Sequence, residues 1–137
     1  MDKFTGTKDV LAQPMSRLDY NRYRGWELPA DEDGGDEGFL VEYIDGGQVN
    51  HPDHKGYISW SPKDVFERAY RPNRTFQDRL NIERDELEKK LEKLQIFLNS
   101  PAALNLGTQD LSLLQRQADT MREYHSLLVQ RIALLTV

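Results

Sequence analysis

The second half of the chain repeats apolar residues at intervals of three, four and seven, the period of an amphipathic helix. The first run consists of Leu80, Leu87, Leu91, Leu94 and Leu98, with Phe76 and Phe97 beside it. The second run consists of Leu111, Leu114, Ala118, Met121, His125, Leu128, Ile132 and Leu135. This pattern predicts two antiparallel helices, over about 75–99 and 109–135, that pack along a heptad seam as a coiled-coil-like hairpin.

Start and stop signals agree with these two helices. Thr75 and Asp78 have the spacing of a capping box, and Asn99-Ser100-Pro101 ends the first helix. Thr108 or Asp110 is expected to cap the second helix.

The second predicted helix carries a further apolar face, which lies about 110 degrees from the seam at about 100 degrees of turn per residue. Its members are Leu113, Tyr124, Leu127 and Leu134. One partner helix cannot cover both faces, so this face meets either the N-terminal half or a second copy of the protein. We favour self-association, with Leu113, Leu127 and Leu134 as candidate residues of a homo-oligomer interface.

The first half shows shorter elements. Residues 39–44 and 57–60 are rich in β-branched and aromatic residues and predict an antiparallel pair of strands, to which residues 10–12 add a third. A helix is expected to begin at Ser16 and end near Gly25, and another is expected over 62–70, with Ser61 at the N-cap and Pro62 at its first position. The predicted fold class is α+β: a small N-terminal antiparallel-sheet module with short helices, followed by a long antiparallel α-helical hairpin.

Composition divides the 137 residues in the same way. The first 72 residues hold 8 of the 9 glycines, both tryptophans and 14 acidic against 9 basic side chains, whereas residues 73–137 hold 9 of each charge. We therefore predict two modules, 1–72 and 73–137, with the whole net charge of −5 in the first.

Several classes of function are disfavoured. The chain has no cysteine, a negative net charge and no apolar stretch of membrane-spanning length, which argues against thiol chemistry, general nucleic-acid binding and membrane insertion. It lacks a nucleophile elbow, a phosphate-binding loop and a dinucleotide fingerprint, so we expect no catalytic residues and no cofactor. Its first ten residues have no apolar signal core, so we expect an intracellular protein.

Two loops carry candidate chemistry. The acidic loop holds five carboxylates within 31–37: Asp31, Glu32, Asp33, Asp36 and Glu37. It fails the ligand spacing of an EF-hand, so it is either a solvated loop or a docking site for a basic partner. His51 and His54 flank Asp53, but zinc needs three or four ligands, and we expect no metal there.

An aromatic and arginine cluster offers a ligand site. Stacking faces and guanidinium groups can together hold a small nucleotide without a net basic surface. The candidates are Tyr20, Tyr23, Arg24, Trp26, Tyr57 and Trp60 in the first half, with Arg122 and Tyr124 in the second. The alternative is that Tyr20, Tyr23 and Trp26 form the apolar face of a helix packed on the sheet.

Residues 5–71 resemble a small module common in bacteriophage and prophage proteins. The resemblance lies in Pro14–Arg17, Tyr20, Tyr23–Trp26, Asp36–Tyr43 and Gly56–Phe66. In that family the module often precedes a Thoeris anti-defence domain, which sequesters a cyclic nucleotide signal made by host immunity. The opening motif of that domain is absent from this chain, so the resemblance transfers no ligand residue.

Residues 75–135 are similar instead to a helical-hairpin family of crAss-like and other phages. The similarity lies in Phe76–Arg79, Glu83–Leu87, Leu114, Gln117, Met121 and Tyr124. Together these resemblances imply a phage or prophage accessory protein in the cytoplasm of a bacterial host.

Two hypotheses follow. In the first, an oligomeric counter-defence protein binds and sequesters a small cyclic nucleotide without turning it over, at a subunit or module interface that includes Arg24, Trp26, Arg122 and Tyr124. In the second, the protein is an adaptor or inhibitor whose acidic loop and hairpin surface dock onto a host defence protein.

Overall fold

A computed structural model describes residues 1–135, and the chain divides into two compact units, Met1–Tyr70 and Arg71–Val137. The first unit contains β1 (Val10–Pro14), α1 (Arg17–Arg24), β2 (Gly38–Tyr43), β3 (Tyr57–Pro62) and α2 (Lys63–Ala69). The second contains α3 (Phe76–Leu98), a 3₁₀ turn (Pro101–Asn105) and α4 (Thr108–Leu135). Residues 136 and 137 of the predicted second module lie outside the described residues.

The predicted α+β class is confirmed by a three-stranded antiparallel sheet followed by long helices. The strands lie in the order β1-β2-β3, and both pairs are antiparallel. Within residues 1–135, no helix is both long enough and apolar enough to cross a lipid bilayer.

The core of the first unit lies between α1 and one face of the sheet. Leu40, Ile58 and Tyr20 form a buried cluster, against which Met15 and Trp60 pack. Because side chains alternate along a strand, Val41 points to the opposite face, where it is 1% exposed. On that face the rings of Phe39 and Phe66 stack with their centroids 4.1 Å apart, which attaches α2 to the sheet.

In the first half, the predicted start and end of α1 are confirmed, whereas the predicted N-cap and first residue of α2 are wrong. The Ser16 side chain accepts a hydrogen bond from the Asp19 N–H, and Gly25 ends α1 in the left-handed region with φ of 74°. The predicted cap at Ser61 does not form, since Ser61 pairs with Phe39 in the β-ladder and its backbone is still extended. Consequently Pro62 is the last residue of β3, and α2 begins one residue later than predicted.

The predicted hairpin is confirmed. Its core is a buried cluster of Leu80, Leu87 and Leu128, with Met121 and Ile132 packed against it.

The predicted seam is wrong at its last member, since Leu135 is 45% exposed. The reason is that α3 begins at Phe76, only one turn before Leu80. The final turn of α4 therefore has little of α3 to pack against.

The start of α3 is capped as its sequence predicts. The Thr75 side chain accepts from the Asp78 N–H, while the Asp78 carboxylate accepts from both the backbone N–H and the side-chain Nε of Arg74. The hydrogen bond from the Arg74 backbone is the main reason that the pKa of Asp78 lies below its usual value, with burial acting in the opposite direction.

We expect Asp78→Asn to lower the melting temperature at neutral pH, with an effect that vanishes in acid. A carboxyl whose pKa is lowered on folding stabilises the protein above its unfolded pKa, about 4, and loses that contribution as the pH falls through the folded value. Melting curves between pH 2 and 7 should therefore converge for the wild type and the variant. Glu86→Gln, at an exposed position of the same helix, is the control, and a pH-independent deficit would contradict the assignment.

Candidate functional site

Arg24 and Trp26 form an exposed platform at the end of α1. The Arg24 guanidinium lies over the Trp26 ring at 4.4 Å from the centroid, and its Nη1 donates to the Tyr20 hydroxyl at 3.0 Å. Trp26 is 53% exposed, whereas Tyr20 is only 5% exposed and belongs to the core. Within residues 1–135, Arg24 forms no ion pair with a carboxylate, so the remaining N–H donors of its guanidinium group are available to an anion.

The local sequence dictates this platform. Gly25 adopts a left-handed conformation, which lets the Trp26 N–H donate to the Asn21 carbonyl and the Gly25 N–H to the Arg22 carbonyl. This turn folds the indole back alongside the last turn of α1, where it lies against Arg24 and packs edge-to-face with the Tyr20 ring, the two ring centroids being 6.1 Å apart.

Tyr23 lies in a different cluster, which joins α1 to the loop before β3. Its hydroxyl is 2.7 Å from His54 Nε2, His54 Nδ1 is hydrogen-bonded to the Glu42 carboxylate, and the Tyr23 ring stacks on His51 at 4.4 Å. Partial burial raises the pKa of Tyr23 above that of an ordinary phenol, and the carboxylates of Asp53 and Glu42 raise it further.

The order of hydroxyl, imidazole and carboxylate in this cluster is the one that activates hydroxyl nucleophiles. The raised pKa of Tyr23 opposes phenolate formation, however, so the hydroxyl keeps its proton and is not an activated nucleophile. We assign the cluster a structural role, tying the loop to α1 and β2. In the part of the chain that the structure describes, no three His, Asp or Glu side chains are grouped to hold a metal ion.

Sequence reasoning missed this cluster because its members are far apart in the chain. One signal could have indicated it: Glu42 pairs with Ile58 across the sheet, on the same face as Leu40. A carboxylate at a packed position of a strand needs a partner, and His54 is that partner.

Tyr57 and Trp60 do not join one site. Trp60 lies on the face of the sheet that carries the core, its Nε1 donates to the Met15 carbonyl at 2.8 Å, and its ring lies under the Arg17 guanidinium at 4.4 Å. Tyr57 lies on the opposite face, 43% exposed, with its ring 6.1 Å from that of Tyr43. Because successive side chains of a strand point to opposite faces, two residues three positions apart lie on opposite faces of the sheet.

The acidic loop is exposed but partly neutralised within its own unit. Its five carboxylates belong to Asp31, Glu32, Asp33, Asp36 and Glu37, all of them exposed. Arg17 lies 3.4 Å from the carboxylate of Glu32 and 3.5 Å from that of Asp36, and Lys63 lies 3.2 Å from that of Glu37. Two basic side chains thus face three of the five carboxylates.

The candidates of the second half lie on the surface of α4. Arg122 forms an ion pair with Asp119 at 2.6 Å, and Tyr124 is 41% exposed. The second apolar face is open to solvent in this chain, with Leu113, Leu127 and Leu134 exposed by 53%, 52% and 75%.

Comparison with known proteins gives a match to the second half. Residues 74–134 match the family model described as Sequestin, a span that begins just before α3 and ends one residue before α4 does. Searches of the curated proteins and of the solved structures gave no significant match. The family description names sequestration, which is a binding activity, and so agrees with the predicted binding role in preference to catalysis. The resemblance of residues 5–71 to a phage module stays a prediction.

Proposed function

We propose that this protein is a non-catalytic phage or prophage counter-defence protein that binds and sequesters a small, cyclic nucleotide signal as a homo-oligomer. The match of residues 74–134 to the Sequestin family carries the proposal, because sequestration requires a ligand that is held rather than turned over. The candidate for the ligand is a nucleotide because the chain displays exposed aromatic rings next to guanidinium groups.

The Arg24 and Trp26 platform illustrates this chemistry. An exposed indole offers a face on which a base can stack, and a guanidinium without a carboxylate partner can donate two parallel hydrogen bonds to a phosphate. Tyr20 supports the platform from the core rather than touching a ligand itself, because it is buried.

The oligomer is supported by the open face of α4. Its residues Leu113, Tyr124, Leu127 and Leu134 follow one another at steps of eleven, three and seven, so they lie along one stripe of the helix. Exposed leucines in such a stripe are typical of helices that pack against another copy of the same chain.

The proposal predicts that a cyclic nucleotide raises the melting temperature of the wild-type protein. A ligand that binds only the folded state stabilises it by RT ln(1 + [L]/Kd), about 2.7 kcal/mol at a hundred times Kd. A panel of cyclic mononucleotides and cyclic dinucleotides should be tested by differential scanning fluorimetry, followed by denaturation and mass spectrometry of the released ligand. The ligand should be recovered intact. A panel without any shift would contradict the proposal, and recovery of a hydrolysed product would indicate an enzyme.

The alternative, docking of the acidic loop onto a host defence protein, has less support. Arg17 and Lys63 already face Glu32, Asp36 and Glu37, which reduces the charge offered to a basic partner. If the nucleotide panel fails and one stoichiometric host protein is recovered in a salt-sensitive complex, the adaptor function replaces sequestration.

A further inference from the structure

At one end of the hairpin, two arginines from different helices lie over the same aromatic ring. Phe76, the first residue of α3, is 51% exposed. The guanidinium carbon of Arg79 lies 6.0 Å from its ring centroid, and that of Arg131, near the end of α4, lies 5.8 Å from it. The two guanidinium groups and the ring therefore share one patch of surface, which we call the Phe76 patch.

Carboxylates do not neutralise the Phe76 patch. Within residues 1–135, neither Arg79 nor Arg131 has a carboxylate within ion-pair distance. The two neighbouring aspartates are engaged elsewhere: Asp78 with Arg74, and Asp85 with Arg71 and Arg84.

The segments at this end of the hairpin also carry a positive net charge. Residues 71–85 contain four arginines and three acidic residues, and residues 128–135 add Arg131 and no acidic residue. These two segments together carry five positive and three negative charges, a net of +2, whereas residues 73–137 as a whole are balanced. Positive charge without internal partners attracts anions.

We propose that Phe76, Arg79 and Arg131 form a nucleotide-binding site, an assignment that rests on the proposed function. A base stacks on the exposed ring of Phe76, and the phosphates lie between the two guanidinium groups, whose planar forks match phosphate oxygens. Because the two arginines come from the two arms of the hairpin, only the folded hairpin presents the site.

Two observations favour this site over the Arg24 and Trp26 platform. The Phe76 patch lies within the span that matches the Sequestin family, whereas the platform lies outside it. Arg24 also already donates one of its guanidinium nitrogens to the Tyr20 hydroxyl.

The site also adjoins the proposed oligomer interface. Arg131 lies four residues after Leu127 and three before Leu134, on the same stripe of α4. A second copy packed on this stripe would lie next to the ligand.

The test is the affinity of purified full-length variants for the tightest-binding member of the panel and for ADP, measured by isothermal titration calorimetry. Arg79→Gln and Arg131→Gln should each weaken binding about tenfold or more, as expected for loss of a charged hydrogen-bond donor. Phe76→Leu, which keeps an apolar side chain but removes the stacking face, should weaken binding about fivefold or more. Arg116→Gln, an exposed arginine of α4 outside the patch, should leave the affinity unchanged.

Circular dichroism separates lost binding from lost folding, because all four positions are exposed and the variants should melt like the wild type. If the wild type binds a nucleotide but Arg79→Gln and Arg131→Gln bind it as tightly as Arg116→Gln does, the site is wrong while the proposed function stands. If Arg24→Gln loses nucleotide binding and the variants of the Phe76 patch do not, the site is also wrong, and the nucleotide binds at the Arg24 and Trp26 platform instead. A wild type that binds neither the panel nor ADP overturns the proposed function and the site with it.

Discussion

Leu128→Ala is expected to lower the free energy of unfolding of the hairpin by about 3 kcal/mol. Leu128 is 1% exposed and contacts Leu80 and Leu87 of the opposite helix, so truncation removes buried apolar surface and leaves a cavity. A loss of this size is a large fraction of the stability of a small unit, and it would leave the hairpin close to unfolding at physiological temperature.

The measurement can separate the two units. Both tryptophans, Trp26 and Trp60, belong to the first unit, so their fluorescence reports on the sheet, while ellipticity at 222 nm is dominated by α3 and α4. Urea titration at one protein concentration should shift the ellipticity midpoint of Leu128→Ala, with little change in slope. Val129→Ala, at an exposed position next along the helix, is the matched control and should stay within about 0.5 kcal/mol of the wild type. Equal effects of the two substitutions would contradict the seam.

The hairpin could be predicted from the sequence because its signal is local. A helix places residues three and four apart on one face whatever lies around it, so the spacing alone assigns Leu80, Leu87 and Leu128 to the seam. The end of the seam could not be predicted, since Leu135 follows the same period but lies near the start of α3, which leaves the final turn of α4 little to pack against.

The clusters of side chains were harder to predict because they depend on contacts between distant residues. Tyr23 and His54 are 31 positions apart, and Phe76 meets Arg131 only after the hairpin has closed. Composition groups the candidate ligand residues, whereas strand alternation places two of them, Tyr57 and Trp60, on opposite faces of the sheet. Composition identified useful residue types, but only pairing and packing determine which of them can hold one ligand together.

The second large effect concerns assembly: Leu127→Glu should convert the proposed oligomer into a monomer of 15.9 kDa. Leu127 is 52% exposed in this chain and lies in the middle of the α4 stripe. In an oligomer that buries this stripe, the substitution places a carboxylate in an apolar contact at every copy, which costs several kcal/mol and weakens association about a hundredfold or more. The effect on stability of the isolated chain should be small, because the position is exposed there.

Size-exclusion chromatography with light scattering, over a range of protein concentrations, measures the mass directly. The wild type should have a mass that is a multiple of 15.9 kDa, Leu127→Glu and Leu113→Glu should have the monomer mass, and Val129→Glu, on another side of α4, should behave like the wild type. Two results would contradict the interface: a wild type that is monomeric at every concentration, or variants on the stripe that keep the wild-type mass.

Because a glutamate at 127 could pair with Arg131, the effect of assembly on nucleotide binding is better tested with Leu113→Glu, which lies more than four turns away from the Phe76 patch. If assembly completes the ligand site, Leu113→Glu should lose nucleotide affinity together with mass, and if the hairpin alone suffices, it should lose mass only.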